Sequence, residues 1–268
     1  MISQQRDTIT LFFFENLCAA PGIKHFISGR RGGVSDNPYG SLNLGFHVYD
    51  DPAKVRTNRE RLSAGVGVSL QDFVFCKQVH EGDVTCVTEG MRGHGALDQS
   101  TAIEATDGMI TNVTNMMLTV LLADCVPVIL YDPVNAVIGV AHAGWKGTVR
   151  FVARNTVEQM KKEFKSNPKD ILVGIGPSIG PEAYEVGQDV IQAVQDAFPF
   201  WTDVIRTADG RICFDLWESN RRQLVDIGVK PENIEVATIC TRRSSDAFFS
   251  ERLQKPTGRF GAGIIKTP

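Results

Sequence analysis

Five histidines and six cysteines supply the borderline and soft donors in this 268-residue sequence that can ligate a transition metal or attack a substrate. Three of them stand next to small or turn-forming residues. His80 precedes Glu81-Gly82, Cys125 lies in Ala123-Asp124-Cys125-Val126-Pro127, and His142 lies in Ala141-His142-Ala143-Gly144-Trp145. Two imidazoles and one thiolate make a three-ligand set with an open fourth position, as in catalytic zinc sites, where a water is acidified to a pKa of about 7. Asp124 beside Cys125 is placed to orient a ligand or to accept a proton. The three residues carry no local spacing signature, so their types alone leave other readings open. Cys125 and His142 form a nucleophile pair in one of them. In the other, Cys125 is a core residue and His80 an exposed loop residue.

Other segments invite chemistry and support it less well. Gly174-Ile175-Gly176-Pro177-Ser178-Ile179-Gly180 follows a strand-like run, but the dinucleotide fingerprint needs glycine where Ile179 stands, and Pro177 suits a turn. Gly29-Arg30-Arg31-Gly32-Gly33 reads either as an anion-binding loop or as a turn with solvated arginines. Lys146 and Thr148 sit near the start of a helix, where a phosphate can bind or an ordinary cap can form.

The elements that must hold these residues follow from periodicity and breakers. Asp51-Pro52 opens a polar helix that ends near Gly65 and Gly67. Phe73-Val74-Phe75 is a short strand leading to Gln78-Val79-His80. Residues 117–123, 127–131 and 136–141 are buried strands, with Asp132-Pro133 turning between the last two. Thr148 to Phe164 has helical spacing, residues 171–175 return as a strand, and helices over 186–198 and 216–227 precede strands at 234–239 and 261–265. Strands outnumber helices and some are adjacent, which predicts an α+β (layered α/β) fold with mixed sheets packed together and flanked by helices. No repeat or linker divides residues 1–268, so one domain is expected.

Composition bounds the partners. Lys and Arg total 28 against 31 Asp and Glu, for a net charge of −3, which gives no footprint for nucleic acid or an anionic membrane. No apolar run reaches the roughly 20 residues of a spanning helix, and Arg6-Asp7-Thr8 ahead of Leu11-Phe12-Phe13-Phe14 is unlike a signal peptide. The cysteines form no C-x-x-C pair, so neither a zinc ribbon nor a thioredoxin-like motif is expected; without an export signal, a cytoplasmic location without disulfides is expected.

Taken together, Ser28 to Ser35, Ser41-Leu42-Asn43-Leu44-Gly45, Asn58-Arg59, Gln78-Val79-His80, Ala105 to Met109, Ala123-Asp124-Cys125, His142-Ala143-Gly144-Trp145-Lys146-Gly147-Thr148, Gly174 to Pro181 and Phe248-Phe249-Ser250 resemble the bacterial laccase-domain family. Its members have been described as polyphenol oxidases and as purine nucleoside phosphorylases. The resemblance implies a single domain of layered mixed sheets similar to the cysteine-hydrolase fold. It also implies zinc held by His80, Cys125 and His142, with copper as the alternative ion. The implied reaction is phosphate-dependent cleavage of adenosine, inosine and 5′-methylthioadenosine, with adenosine deamination alongside, so the partners are a purine nucleoside and phosphate. Membership of these motifs makes Arg30, Asn43, Arg59 and Lys146 candidate substrate contacts and His80, Asp124, Cys125 and His142 candidate catalytic residues. The departures from the family pattern lie at Arg242-Arg243-Ser244-Ser245 and at Glu251.

Overall fold

Period-two burial sets the architecture. In the computed structural model, which describes every residue except Asp209, the strands are β1 (Ile2–Arg6), β2 (Ile9–Phe13), β3 (Ile23–Ser28), β4 (Phe73–Phe75), β5 (Val84–Cys86), β6 (Gly108–Thr111) and β7 (Met117–Leu122). They continue as β8 (Val126–Asp132), β9 (Val137–Ala143), β10 (Leu172–Ile175), β11 (Ile205–Ala208), β12 (Arg211–Phe214), β13 (Ile234–Val236) and β14 (Phe260–Lys266). The helices are α1 (Glu15–Cys18), α2 (Pro52–Val66), α3 (Trp145–Val149), α4 (Val152–Phe164), α5 (Gln188–Ala197), α6 (Trp201–Val204) and α7 (Leu216–Asp226).

Two six-stranded mixed sheets result, in the orders β1-β2-β3-β14-β7-β4 and β13-β10-β8-β9-β6-β5, with β11 and β12 as a separate hairpin. Every residue of β7, β8 and β9 is buried, because each strand is covered on both faces. In β7, Leu118, Val120 and Leu122 enter the core between the sheets, while Met117 and Leu121 face a second core with Phe26, Phe73 and Leu62 of α2. In β9, Ile138 and Val140 enter the inter-sheet core, and Val137, Ala141 and Ala143 face the core under α4, α5 and α7. The layers therefore run helix, sheet, sheet, helices. The alternation puts His142 on the inter-sheet side of β9, at the open end of that core.

Local signals act where they are expected at several places. Asp51 caps α2 by accepting from the Ala53 N–H at 2.9 Å, Pro52 occupies the first turn, and Gly67 ends the helix at φ +70°. The helix expected over 148–164 is instead two pieces, α3 and α4, broken where Phe151 takes φ +62° and packs edge-on against Phe198 at 5.5 Å. The strand expected over 234–239 stops at Val236. Strands β1 to β3, β5, β6, β11 and β12 have no counterpart in the sequence reading. Among the described residues no helix is long and apolar enough to cross a membrane.

His25 on β3 belongs to the packing. It is 4% exposed, and its Nε2 accepts the Phe14 N–H at 2.8 Å. Burial holds its pKa down at about 4, against 6.5. The unfolded chain therefore binds this proton below pH 6.5 while the folded chain resists it until about pH 4. The resulting stability is present above pH 6.5 and is lost as pH falls through 4. We predict that denaturant titrations lose about 3 kcal/mol over this window from His25, and that His25→Gln removes this slope. Parallel curves for the two proteins would refute it.

Candidate metal centre

The chain passes twice from one sheet to the other at the same end of the core, and each passage delivers a ligand. Residues 76–83 lead from β4 to β5 and carry His80. Residues 123–125 lead from β7 to β8 and carry Cys125. His142 ends β9 opposite Pro127 of β8. One ligand atom each from His80, Cys125 and His142 lies within 4.8 Å of the others, and the two imidazole rings meet edge to face at 4.8 Å. Tetrahedral ligands at about 2.0–2.3 Å from an ion stand roughly 3.5 Å apart, so rotamer adjustments bring these three into ligating range. Among the described residues, no other His, Cys, Asp and Glu group of three lies so close. The donor set, borderline nitrogen with soft sulfur, fits a transition metal.

One buried carboxylate orders both histidines. Asp107, fully buried just before β6, accepts from the N–H groups of Val79, His80 and Glu81 at 3.1, 3.0 and 2.8 Å. Its Oδ1 lies 2.8 Å from His142 Nδ1, and its backbone carbonyl accepts the His142 N–H at 2.8 Å. This fixes His142 with Nε2 free for the cluster, the carboxylate–histidine arrangement common behind metal ligands. His80 takes φ +62°, which turns its ring back towards Cys125. Gln78 pins the same loop by exchanging two 2.8 Å hydrogen bonds with the Leu121 backbone. The sequence places Asp107 in the motif segment Ala105 to Met109 without a role, because its partners are backbone N–H groups and the His142 ring, which no spacing reveals.

Electrostatics favour a thiolate. Burial opposes charge on Cys125, but His142 and His80 outweigh it and hold the thiol at about 6 instead of 9. His142 is raised in turn: burial lowers it, and Cys125 and Asp107 more than compensate. Gly144 keeps the cluster open, since a Cβ there would stand 2.9 Å from Cys125 Sγ and 3.0 Å from His80 Cδ2.

Asp124 lines the cavity with both carboxylate oxygens engaged. It takes φ +85°, and its two carboxylate oxygens accept from Thr241 Oγ1 at 2.6 Å and the Arg252 N–H at 2.7 Å. It is a latch that ties the Cys125 corner to the C-terminal segment. Three of the four residues expected as substrate contacts from motif membership are engaged within the fold. Asn43 is fully buried and spends both donors and both lone pairs on Gly45, Asp50 and the Arg259 N–H. Arg59, 2% exposed, donates to the carbonyls of Leu44, Gly95 and Ala96 between the rings of Phe46 and Phe75. Burial lowers its pKa to about 9, which leaves it charged at neutral pH. Arg30 donates to Gly40 and Ser245 carbonyls over Phe249 and is tied into the fold, while the exposed Arg31 donates through Nε to the Asp246 carbonyl. Lys146 is exposed beside the Trp145 ring and outside the cavity wall, and the Thr148 hydroxyl is buried against Asn220.

Above the cluster opens a cavity of about 620 Å³. His47, Trp145, Ile179, Tyr184 and Leu216 give it apolar and aromatic surface, and Lys77, Arg252, Lys255 and Arg259 give it positive charge. Its size is that of a small-molecule site. The sequence reading named none of these four cations as a contact, because they lie in turns with no periodic signal.

Two packed mixed sheets with one three-ligand cluster below a basic cavity define a layered α+β protein with a candidate mononuclear metal site. The chain belongs to the multi-copper polyphenol oxidoreductase laccase family, whose description matches residues 24–267. It is 44% identical over 242 residues to purine nucleoside phosphorylase YlmD of Bacillus subtilis (strain 168), covering 88% of this chain and 87% of that one. It is 34% identical over 248 residues to adenosine deaminase RL5 from an unknown prokaryotic organism, covering 91% and 94%. The crystal structure of YlmD from Geobacillus stearothermophilus superposes with a TM-score of 0.92 at 35% identity, covering 99% of this chain and 98% of that one.

Two substitutions test the site. Asp107→Ala is expected to weaken metal binding about 10–100-fold, read by competition with a chelator of known affinity. Gly144→Ala has a backbone (φ −70°, ψ 176°) that any residue adopts, so it should fold normally yet retain less metal by elemental analysis. Full metal content in both variants would refute this geometry.

Proposed function

We propose that the protein is a zinc-dependent purine nucleoside phosphorylase. In this reading it cleaves adenosine, inosine and 5′-methylthioadenosine with phosphate, deaminates adenosine as a second activity, and works as one domain in the cytoplasm. One observation carries the reading: the His80–Cys125–His142 cluster floors a cavity of nucleoside-accommodating size whose walls hold four cationic side chains. The named activities of its relatives support the same choice.

Phosphorolysis needs three things from the chain. A phosphate must be held against C1′, which guanidinium and ammonium groups do well. The C1′–N bond must break as the sugar takes on cationic character, with phosphate oxygen forming the new bond. The bond's electron pair leaves on the base, which takes up a proton. Arg252, Lys255, Arg259 and Lys77 are the candidate phosphate contacts, and Tyr184, Trp145 and Leu216 give faces for a flat base. His80, Cys125 and His142 would hold the ion, which supplies Lewis-acid polarisation when bound. Asp107 holds His142 in place for that task.

Copper is the alternative ion, because it outranks zinc for such ligands. A reaction needing several coppers fits poorly, since His25 is buried with Nε2 occupied and the one close ligand group among the described residues holds three donors. Cys125 as a covalent nucleophile is the remaining reading.

Incubation of metal-defined protein with inosine should yield hypoxanthine and ribose 1-phosphate with phosphate present and neither product without it. Cys125→Ala should lose stoichiometric zinc and lower turnover about 100-fold or more. Release of base without phosphate would make the protein a hydrolase, and a substrate-derived mass on Cys125 would make that residue the nucleophile.

A further inference from the structure

The four cations on the cavity wall are not equally engaged. Lys77 pairs with Glu104, away from the cavity, and Arg252 donates to the Glu185 carbonyl and covers the Tyr184 ring at 5.1 Å. Lys255 and Arg259 instead share one carboxylate, Glu251, which itself lines the cavity. Glu251 Oε2 lies 3.0 Å from Arg259 Nη2, and Oε1 lies 3.6 Å from Lys255 Nζ. The other wall carboxylate, Asp124, has both oxygens spent on the latch.

Arg259 is held from behind. Its side chain is 19% exposed, its Nη1 donates to the Thr257 and Gly258 carbonyls at 3.0 and 3.1 Å, and its N–H donates to Asn43 Oδ1. That leaves Nη2 facing Glu251 as the part of the fork still free to serve a ligand. Glu251 is held more loosely. It is 35% exposed, its second partner Lys255 is 71% exposed, and neither of its oxygens receives a backbone N–H. With about a third of the carboxylate in solvent, the Arg259–Glu251 pair is partly screened and contributes on the order of 1 kcal/mol. A phosphate dianion presents the same acceptor geometry with twice the charge, and guanidinium bonds it more strongly than it bonds a solvated carboxylate.

We propose that Arg259 and Lys255 form an inorganic-phosphate subsite and that Glu251 is its built-in placeholder, displaced when phosphate enters. No bond is made or broken in this exchange. Glu251 swings out, and the phosphate oxygens take over its contacts. The placeholder keeps two cations from repelling each other in the empty cavity, and it disfavours monoanions that cannot outcompete a carboxylate. This purpose rests on the phosphorylase reading, although the exchange itself does not.

Titrating inorganic phosphate calorimetrically into the zinc-loaded protein tests the exchange directly. Glu251→Gln keeps the shape and removes the competing charge, so phosphate should bind up to about fivefold more tightly. Arg259→Lys, which loses the fork, should bind it about tenfold more weakly. Lys255→Met should weaken it to a smaller extent, and this exposed site offers a variant that does not threaten folding. In turnover, Glu251→Gln should act on the KM for phosphate rather than that for inosine. Phosphate binding that is unchanged or weaker in Glu251→Gln would overturn the proposal, because Glu251 would then be a spectator or a support for Arg259. If inosine is cleaved with phosphate and Glu251→Gln does not tighten phosphate, the placeholder falls and the phosphorylase stands. If Glu251→Gln tightens phosphate and inosine is not cleaved, the phosphorylase falls and the subsite stands.

Discussion

A carboxylate taken fully out of water is unstable unless its lone pairs are met by N–H groups or a cation. Asp107 meets that demand with four N–H donors, three from the backbone of 79–81 and one from the His142 ring. Each is charge-assisted and contributes about 1.5–3 kcal/mol, the upper range for protein hydrogen bonds. Because the donors come from two separate stretches of chain, satisfying one anion forces His80 and His142 into one place. The cluster's geometry is thus set less by the ligands than by the group behind them.

The layered fold explains why the third ligand arrives there too. Packed sheets lie about 10 Å apart, and the chain between Leu122 and Val126 spans at most roughly 14 Å when extended. Three residues therefore have little slack in which to change sheets. The left-handed Asp124 makes the turn, and its carboxylate fastens the corner to Thr241 and to the Arg252 N–H. Cys125 follows at once, so its sulfur is carried to the mouth of the inter-sheet core by the shortness of the corner. The same latch sets the start of the segment 251–259, which carries three of the cavity's four cations, Arg252, Lys255 and Arg259.

Much of this was legible in the sequence where local physics dominates. The Asp51-Pro52 start and Gly67 stop of α2, and the apolar runs that became β7, β8 and β9, depend on capping and on burial of both strand faces. Strand β1, Ile2–Arg6, was not legible, because all five of its residues are exposed and it is held by antiparallel pairing to β2 rather than by an apolar face. The break at Phe151 was hidden because a single left-handed residue leaves the helical spacing of its neighbours almost intact. The grouping of His80, Cys125 and His142 was readable through the family resemblance and not from spacing, since 45 and 17 residues separate them in turn. The role of Asp107 went unread because it lies in long-range backbone contacts.

The sequence singles out Arg30, Asn43 and Arg59 as motif residues, but what each does in the fold was not legible there. Membership of a motif marks a residue as constrained, without saying whether the constraint comes from building the site or from serving a ligand. Hydrogen-bonding capacity separates the two. Asn43 has used all four of its sites, and the Arg59 guanidinium is buried between two rings with its charge met by three carbonyls. Asn43 has nothing left to offer a substrate, and Arg59 keeps only Nη2 outside these bonds. His142 keeps Nε2, Cys125 keeps its sulfur, and Arg259 keeps one edge of its fork, met only by a half-exposed carboxylate. These leftover valences converge on one cavity, where a ligand can complete them, and such convergence of unspent polar capacity with perturbed ionisation is what marks a functional site.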